Sequence, residues 1–465
     1  MAIPKRRRLQ LVLFAFAVLV AFGFLLEGAC RVFFQRIARA RIVADPGVAD
    51  LRIPDPPTEA DAARYPALAA QNGCVCSGAA NCRIGNPFRD QTFSCAPDPS
   101  VTRILFLGES SVWGTMLAAD RTIPAQVARI AGQRGSRVEA INGGIQGEDL
   151  ATCYRVAAVL LPRVHPDAVV IYAAHNEAFA LSPSFNRAVL DRIYPQTDLA
   201  RRLYRRLAVA RVGAYLWRQL RAREFPAESR SGFDGLPGGD PVLTADQMAF
   251  LDGLREKVFA LAPARLAWTL DLCRRSGVRV LYAVPTSNLI WPPASPTHGP
   301  GYAANRPAWE AKKVAAERAF RRHDFAAALA PLAAMERIDP SFATTYHLAG
   351  AALLRLGRTA EARAEFDRAL DEIHLNRMVG TGQDGAAPSL VRLLAAAARE
   401  RGVPVWDVGL AVRGGTSPER DADLFVDHLH FNAEGARRFA EGLVGELQRL
   451  GWVKGAGFAS RSITP

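Results

Sequence analysis

Ile104-Leu105-Phe106-Leu107 are four apolar residues that run without a break into Gly108-Glu109-Ser110, and a further glycine stands at Gly114. An unbroken apolar run reads as a strand buried on both faces, the kind that parallel sheets contain. A serine at the C-terminal end of such a strand stands where open α/β sheets place their ligands. The flanking glycines permit a tight turn and the close approach of another backbone. An ordinary strand-to-helix turn with a capping serine has the same local signature. Far down the chain lies a second signal, Asp427-His428-Leu429-His430-Phe431-Asn432. Serine, a base and a carboxylate are the set that nucleophilic catalysis needs.

Four more stretches read as strands: Val138–Asn142, Asp167–Tyr172, Val278–Val284 and Val403–Val408. Helical patterns lie between them, at Ile123–Ala131, Pro263–Arg275 and Leu390–Arg401. Alternation of this kind predicts an α/β fold with a five-stranded parallel sheet covered on both faces. Gly147 follows the second strand and Asn176 the third, so both gather with Ser110 at one edge of the sheet. Taken singly, each is explained by turn chemistry. Their joint placement after successive strands is the functional signal.

This constellation resembles the SGNH, or GDSL-type, hydrolase family. The family's first block, Gly-Asp-Ser-x-x-x-Gly, reads here as Gly108-Glu109-Ser110-Ser111-Val112-Trp113-Gly114. Its second-block glycine corresponds to Gly147 and its third-block asparagine to Asn176. Its last block, Asp-x-x-His, corresponds to Asp427-His428-Leu429-His430. The resemblance implies a flavodoxin-like three-layer sandwich. It also implies a nucleophile in Ser110, a general base in His430, and an orienting carboxylate in Asp427. The oxyanion hole would come from the N–H groups of Ser110 and Gly147 with the Asn176 amide. His428 is expected to matter less, and no cofactor is implied. Three positions depart from the family pattern: Glu109 for Asp, Ala174 for Gly, and Glu177 for Asp. None removes a group that does chemistry, although Ala174 could tighten the approach of substrate to Asn176. The Gly-x-Ser-x-Gly elbow of the α/β-hydrolases is absent, because Val112 takes the last glycine's place.

Lys5-Arg6-Arg7-Arg8 precedes an apolar run from Leu11 to Leu26, which suits a short spanning helix or a signal-peptide core. Glu27 stands where a cleavage site would want a small residue, so an uncleaved anchor is expected, with the N-terminus inside. The expected location is the inner membrane, single-pass, with the catalytic body on the periplasmic or outer side. Cys74, Cys76, Cys82 and Cys95 fall in one Gly/Asn-rich stretch. Two bridges from the Cys74/Cys76 pair to Cys82 and Cys95 fit, in either connectivity, and would agree with an oxidising compartment; zinc is the alternative. Cys153 and Cys273 lie in helix-like apolar stretches and read as buried thiols. The net charge of +13 is carried mostly by arginine, but no basic stretch is interleaved with aromatics, so a nucleic-acid partner is not expected.

Pro307–Leu375 reads as an all-helical insert. Tyr346, Gly350, Leu353, Gly357, Ala362, Phe366 and Ala369 resemble one tetratricopeptide repeat, with Ala328 in Ala362's place about one period earlier. A generic helical hairpin is the plainer reading, and a protein partner for the insert is an expectation. Leu199–Arg223 reads as an Arg-rich amphipathic helix, and Ser287–Pro293 as a rigid loop that could wall a substrate site.

The expected organisation is a tail and anchor at 1–42, a Cys-containing linker at 43–100, and hydrolase parts at 101–306 and 379–453. The insert occupies 307–378, and a tail follows at 454–465. The expected function is hydrolysis of an envelope ester, glycan- or lipid-linked. Acyl transfer to a glycan hydroxyl and a non-catalytic repeat scaffold are the competing readings.

Overall fold

The computed structural model describes residues 22–29, 81–84, 88–94, 96–177, 242–293, 296–377, 385–415 and 417–453. The chain divides into two units, Met1–Val43 with Tyr194–Ser231, and Ala44–Ile193 with Gly232–Pro465. Of the first unit only a helical stretch at 22–29 is described. No helix among the described residues is long and apolar enough to cross a membrane. Most of the expected anchor, Leu199–Arg223, Cys74, Cys76, Cys95 and the tail at 454–465 lie outside the described residues.

The first described element of the second unit is an antiparallel hairpin, β1 (Asn81–Ile84) and β2 (Gln91–Ser94), which sets Cys82 opposite Phe93. The main sheet contains β3 (Thr102–Gly108), β4 (Val138–Gly144), β5 (Ala168–Tyr172), β6 (Arg279–Val284) and β7 (Val405–Asp407). Every pairing in it is parallel, and the spatial order is β4-β3-β5-β6-β7. Counted within the sheet this is the order 2-1-3-4-5 of flavodoxin-like doubly wound folds, whose ligands sit at the carboxyl ends of the strands where the winding reverses. Here the reversal falls beside β3, the strand that leads to Ser110.

The helices of the sheet layers are α1 (Ser110–Trp113), α2 (Ile123–Gln133), α3 (Leu150–Val164) and α4 (Ala245–Arg275). The insert supplies α5 (Pro300–Arg321), α6 (Phe325–Ile338), α7 (Ala343–Arg355) and α8 (Thr359–Arg377). The chain then returns through α9 (Pro388–Glu400), α10 (Val408–Arg413), α11 (Asp421–Leu424) and α12 (Ala433–Arg449). Side chains alternate across each strand, so Ile104, Phe106, Val170, Tyr172 and Leu281 face one way. They pack with Val127 and Ile130 of α2 and with Phe439, Leu443 and Leu447 of α12. On the opposite face α3, α4 and α9 lie against the sheet and one another.

Three elements differ from the sequence expectation. Helix α4 begins at Ala245, behind a capping box made by Thr244 and Gln247, and passes through Pro263. Packing against α3 and α9 outweighs the break that a proline makes in an isolated helix. Strand β7 is only three residues long, because the Asp407 side chain accepts from Leu410 N and starts α10 there. Helix α5 starts at Pro300, and its backbone leaves helical geometry at Asn305, just ahead of Pro307.

The insert consists of two helical hairpins. Helices α5 and α6 bury Tyr302, Trp309, Leu332 and Met335 together. Helices α7 and α8 bury Ala343, Leu353, Ala362, Phe366 and Leu370. Gly350 is required where α7 crosses α8, since a Cβ there would lie 2.9 Å from Phe366 Cδ1.

Candidate active site

Strand β3 runs straight to the candidate nucleophile. Only glycine fits at its last position, because a Cβ on Gly108 would lie 2.3 Å from Tyr172 O and 2.5 Å from Val112 Cγ2. Ser110 then opens the single-turn helix α1, which Gly114 closes in a left-handed conformation. Arg89, at the tip of the cysteine hairpin, braces the segment that follows. Its guanidinium donates to Gly114 O at 2.8 Å and Leu117 O at 2.6 Å, and lies over the Trp113 ring.

The Asp427–His430 loop comes from the other end of the chain. Val426 N donates to His430 O at 2.8 Å, which closes a tight loop between Phe425 and Phe431. Asp427 Oδ1 accepts from Leu429 N at 2.9 Å and from His430 N at 2.7 Å, so the loop curls around its own carboxylate. Asp427 Oδ2 lies 2.7 Å from His430 Nδ1, and His430 Nε2 lies 2.7 Å from Ser110 Oγ. With Nδ1–H donated to the carboxylate, Nε2 is left to accept the serine proton. Burial acts to raise the Asp427 carboxyl, but the His430 hydrogen bond and the charges of His428 and His430 outweigh it and bring it down to about 2. Asn432 caps α12 by accepting from Glu434 N and Gly435 N, as its position after the loop predicts. His428 flanks the carboxylate, with Nδ1 3.8 Å from Asp427 Oδ1.

Gly147 follows β4 with φ +76. Its neighbour Glu148 offers a carbonyl that accepts from Asn176 Nδ2 at 2.9 Å. The loops after β4 and β5 are thereby joined, and an amide nitrogen carries a second hydrogen that can face a ligand. Five expected site residues therefore fall on the same sheet edge. Ser110, His430 and Asp427 are linked directly, and Asn176 is linked to the Gly147–Glu148 loop.

Two of the three departures from the pattern the chain resembles, Glu109 and Glu177, carry structural work, and the third, Ala174, carries strain. The Glu109 carboxylate, 1% exposed, accepts from Ala174 N at 3.0 Å, His175 N at 3.2 Å and Asn176 N at 3.3 Å. It therefore holds the Asn176 loop against the nucleophile turn. Ala174 has φ 145, a region that favours glycine. Relieving that strain, Ala174→Gly is expected to stabilise the fold by about 1 kcal/mol net of glycine's extra unfolded-state entropy, measured as a raised denaturation midpoint. Glu177 accepts from Leu150 N at 2.8 Å and lies 3.4 Å from Arg265 Nη1, which also meets Asp149 Oδ2 at 2.8 Å. Burial first, and then the Asp149 charge, push Glu177 up to about 8. It pins the start of α3 behind Gly147. Cys153 and Cys273 are buried free thiols, both pushed up by burial, Cys273 to about 12.

In the Ser287–Pro293 loop, Ser287, Asn288 and Leu289 are buried, and Asn288 contacts the Asp427–His430 loop. Among the described residues, no three His, Cys, Asp or Glu side chains converge so as to hold a metal ion.

No family model matches the chain, and no curated protein matches it. Among solved structures, the chain is similar to a lipolytic protein of the G-D-S-L family from Desulfitobacterium hafniense, with 10% identity and a TM-score of 0.29 over 74% of this chain and 98% of that one. It is also similar to the lipase/acylhydrolase from Enterococcus faecalis, with 13% identity and a TM-score of 0.30 over 77% and 99% of the two chains. A third likeness is to the acetyl xylan esterase AlAXEase, with 11% identity and a TM-score of 0.31 over 74% and 99%. At these scores the likenesses decide nothing; the fold rests on the chain's own strand order and the chemistry on its own side chains.

Proposed function

We propose that this chain is a serine ester hydrolase of SGNH type that acts on an ester of the cell envelope. The observation that carries the reading is the hydrogen-bonded series Ser110–His430–Asp427, with 2.7 Å at both links, at the carboxyl edge of a doubly wound sheet. Ser110 Oγ attacks the ester carbonyl carbon while His430 Nε2 takes its proton. The tetrahedral oxyanion is met by the N–H groups of Ser110 and Gly147 and by the Asn176 amide. His430 returns the proton to the departing alkoxide, leaving an acyl-serine and a free alcohol. Water, deprotonated by His430, then releases the acid and restores Ser110.

An N-terminal anchor that leaves the body on the periplasmic side fits the basic cluster, the apolar run and the cysteine-bearing hairpin that sits beside the nucleophile turn. The two hairpins of the insert fit a pair of tetratricopeptide-like units, since α6 and α8 start one such period apart, at Phe325 and Thr359. Such an insert suits a protein partner.

The test is to treat the full chain in detergent with a fluorophosphonate probe and with a short-chain aryl acetate. Labelling at Ser110 with stoichiometric acetate release supports the hydrolase. Labelling with acetate moved to an added glycan instead of water supports the transferase. Folded protein that neither labels nor turns over overturns both. Asn176→Ala is expected to lower kcat by about 10²–10³-fold with KM little changed, as loss of one oxyanion donor does.

A further inference from the structure

Asn288 and Leu289 are consecutive residues that serve two different parts of the molecule. Asn288 N donates to His428 O at 2.9 Å, and Asn288 Nδ2 donates to Asp427 O at 3.2 Å. Two successive carbonyls of the candidate acid–base loop are thus held by one residue, itself 4% exposed. Leu289 points the other way. It is buried with Ala343, Leu353, Ala362, Phe366 and Leu370, in the apolar cluster of α7 and α8.

A buried ion pair keeps this joint stiff. Arg413 Nε lies 2.6 Å from Asp421 Oδ1, and Nη2 lies 2.9 Å from Oδ2. The same guanidinium donates to Ser287 O at 2.7 Å and Thr286 Oγ1 at 3.0 Å, while Asp421 Oδ2 accepts from Leu289 N at 2.7 Å. The chain leaves the sheet for the insert through this loop and comes back to it, for Ala386 N donates to Ser287 Oγ at 3.1 Å. Residue 385 must be glycine there, since it has φ +46 and a Cβ would lie 2.0 Å from Ser287 Oγ. Both ends of the insert are therefore tied to the residue next to Asn288.

We infer that Asn288 and Leu289 form a positioning pair through which the α7–α8 hairpin sets the Asp427–His430 loop, so that the packing of the insert governs how well His430 serves Ser110. This rests on the reading of Asp427 and His430 as the acid–base pair. A catalytic group displaced by about 1 Å loses on the order of 10²-fold in rate, so a joint of this kind is enough to tune turnover. Neither residue touches the reacting atoms. Their effect is expected in kcat and in the state of the His430 ring.

The experiment compares Asn288→Ala, Leu289→Ala, Leu289→Met and Phe366→Leu in the full chain, with Leu332→Ala as a control. Leu332 lies in the other cluster of the insert, which α5 and α6 form together with Phe342 and Leu348 and which does not contain Leu289. Turnover of an aryl acetate, thermal unfolding and the downfield proton NMR signal of the His430 Nδ1–H are read for each. Asn288→Ala is expected to lower kcat by about 10–100-fold with KM kept and the downfield signal shifted or broadened. Leu289→Ala and Phe366→Leu are expected to move the same two readouts in the same direction, and Leu289→Met to restore them. Leu332→Ala is expected to lower thermal stability while leaving kcat and the signal alone. Parent-like kcat and signal in Asn288→Ala and Leu289→Ala would overturn the inference, as would an equal loss of kcat in Leu332→Ala. If the parent itself neither labels nor turns over, the hydrolase reading fails, and the His430 signal still decides whether the insert reaches the loop.

Discussion

Ser110→Ala is expected to lower kcat for an aryl acetate by on the order of 10⁶-fold, the loss that follows removal of a nucleophile from a working triad. Alanine leaves His430 Nε2 without the hydroxyl it faces at 2.7 Å, and no acyl-enzyme can form. The backbone of the turn does not depend on the hydroxyl, because Gly114 N and Thr115 N both bond to Ser110 O. Thermal stability should therefore stay within about 0.5 kcal/mol of the parent, and fluorophosphonate labelling should vanish. Steady-state hydrolysis and labelling on the same preparation check this. A loss smaller than tenfold would place the nucleophile elsewhere.

Asp427→Asn is expected to cost about 10⁴-fold in kcat, through the tautomer rather than through lost contact. An asparagine can still accept from the backbone N–H groups of Leu429 and His430, which keeps the loop in place. Its NH₂ then faces His430 Nδ1, which must give up its proton. The ring becomes protonated on Nε2, where it can no longer accept from Ser110. The substitution also has a pH signature. Burial raises the Asp427 carboxyl, and the His430 hydrogen bond with the nearby imidazole charges overrides it to about 2. Because the folded value lies below the unfolded value of about 3.9, the charge stabilises the fold above that value and the contribution is lost as pH falls toward 2. The linkage is worth about 2–3 kcal/mol. Parent and Asp427→Asn should therefore differ in stability near neutrality, draw together as pH falls from about 4, and converge near pH 2 and below, which denaturation midpoints across pH would measure. The Asp427 charge itself persists across the neutral range, so the acidic limb of the rate profile should not follow it.

How much of this site is legible in the chain depends on the distance over which each contact acts. Asp427 and His430 are three residues apart, and the loop that joins them closes on itself, so local spacing shows the pair. Ser110, Gly147 and Asn176 each follow a strand, and parallel pairing brings such strand ends to one edge. Glu109 looked like a neutral exchange for aspartate, yet its carboxylate holds three consecutive N–H groups of a loop more than sixty residues away. Asn288 read as part of a rigid loop at a strand end, and it is a buried tether for the Asp427–His430 loop. Neither contact leaves a period or a motif, because each joins one side chain to the backbone of a distant segment.

The sequence by itself determined the elements and their class. Unbroken apolar runs can only be buried on both faces, and helical patterns between them supply the cover. It also determined which residue types stand at the strand ends. The tertiary structure alone decided the order β4-β3-β5-β6-β7, the extension of α4 through Pro263, and the seating of Leu289 among the insert helices. Those outcomes come from packing and from buried hydrogen bonds between remote segments. Their free energies depend on which surfaces meet, and local propensity carries no record of that.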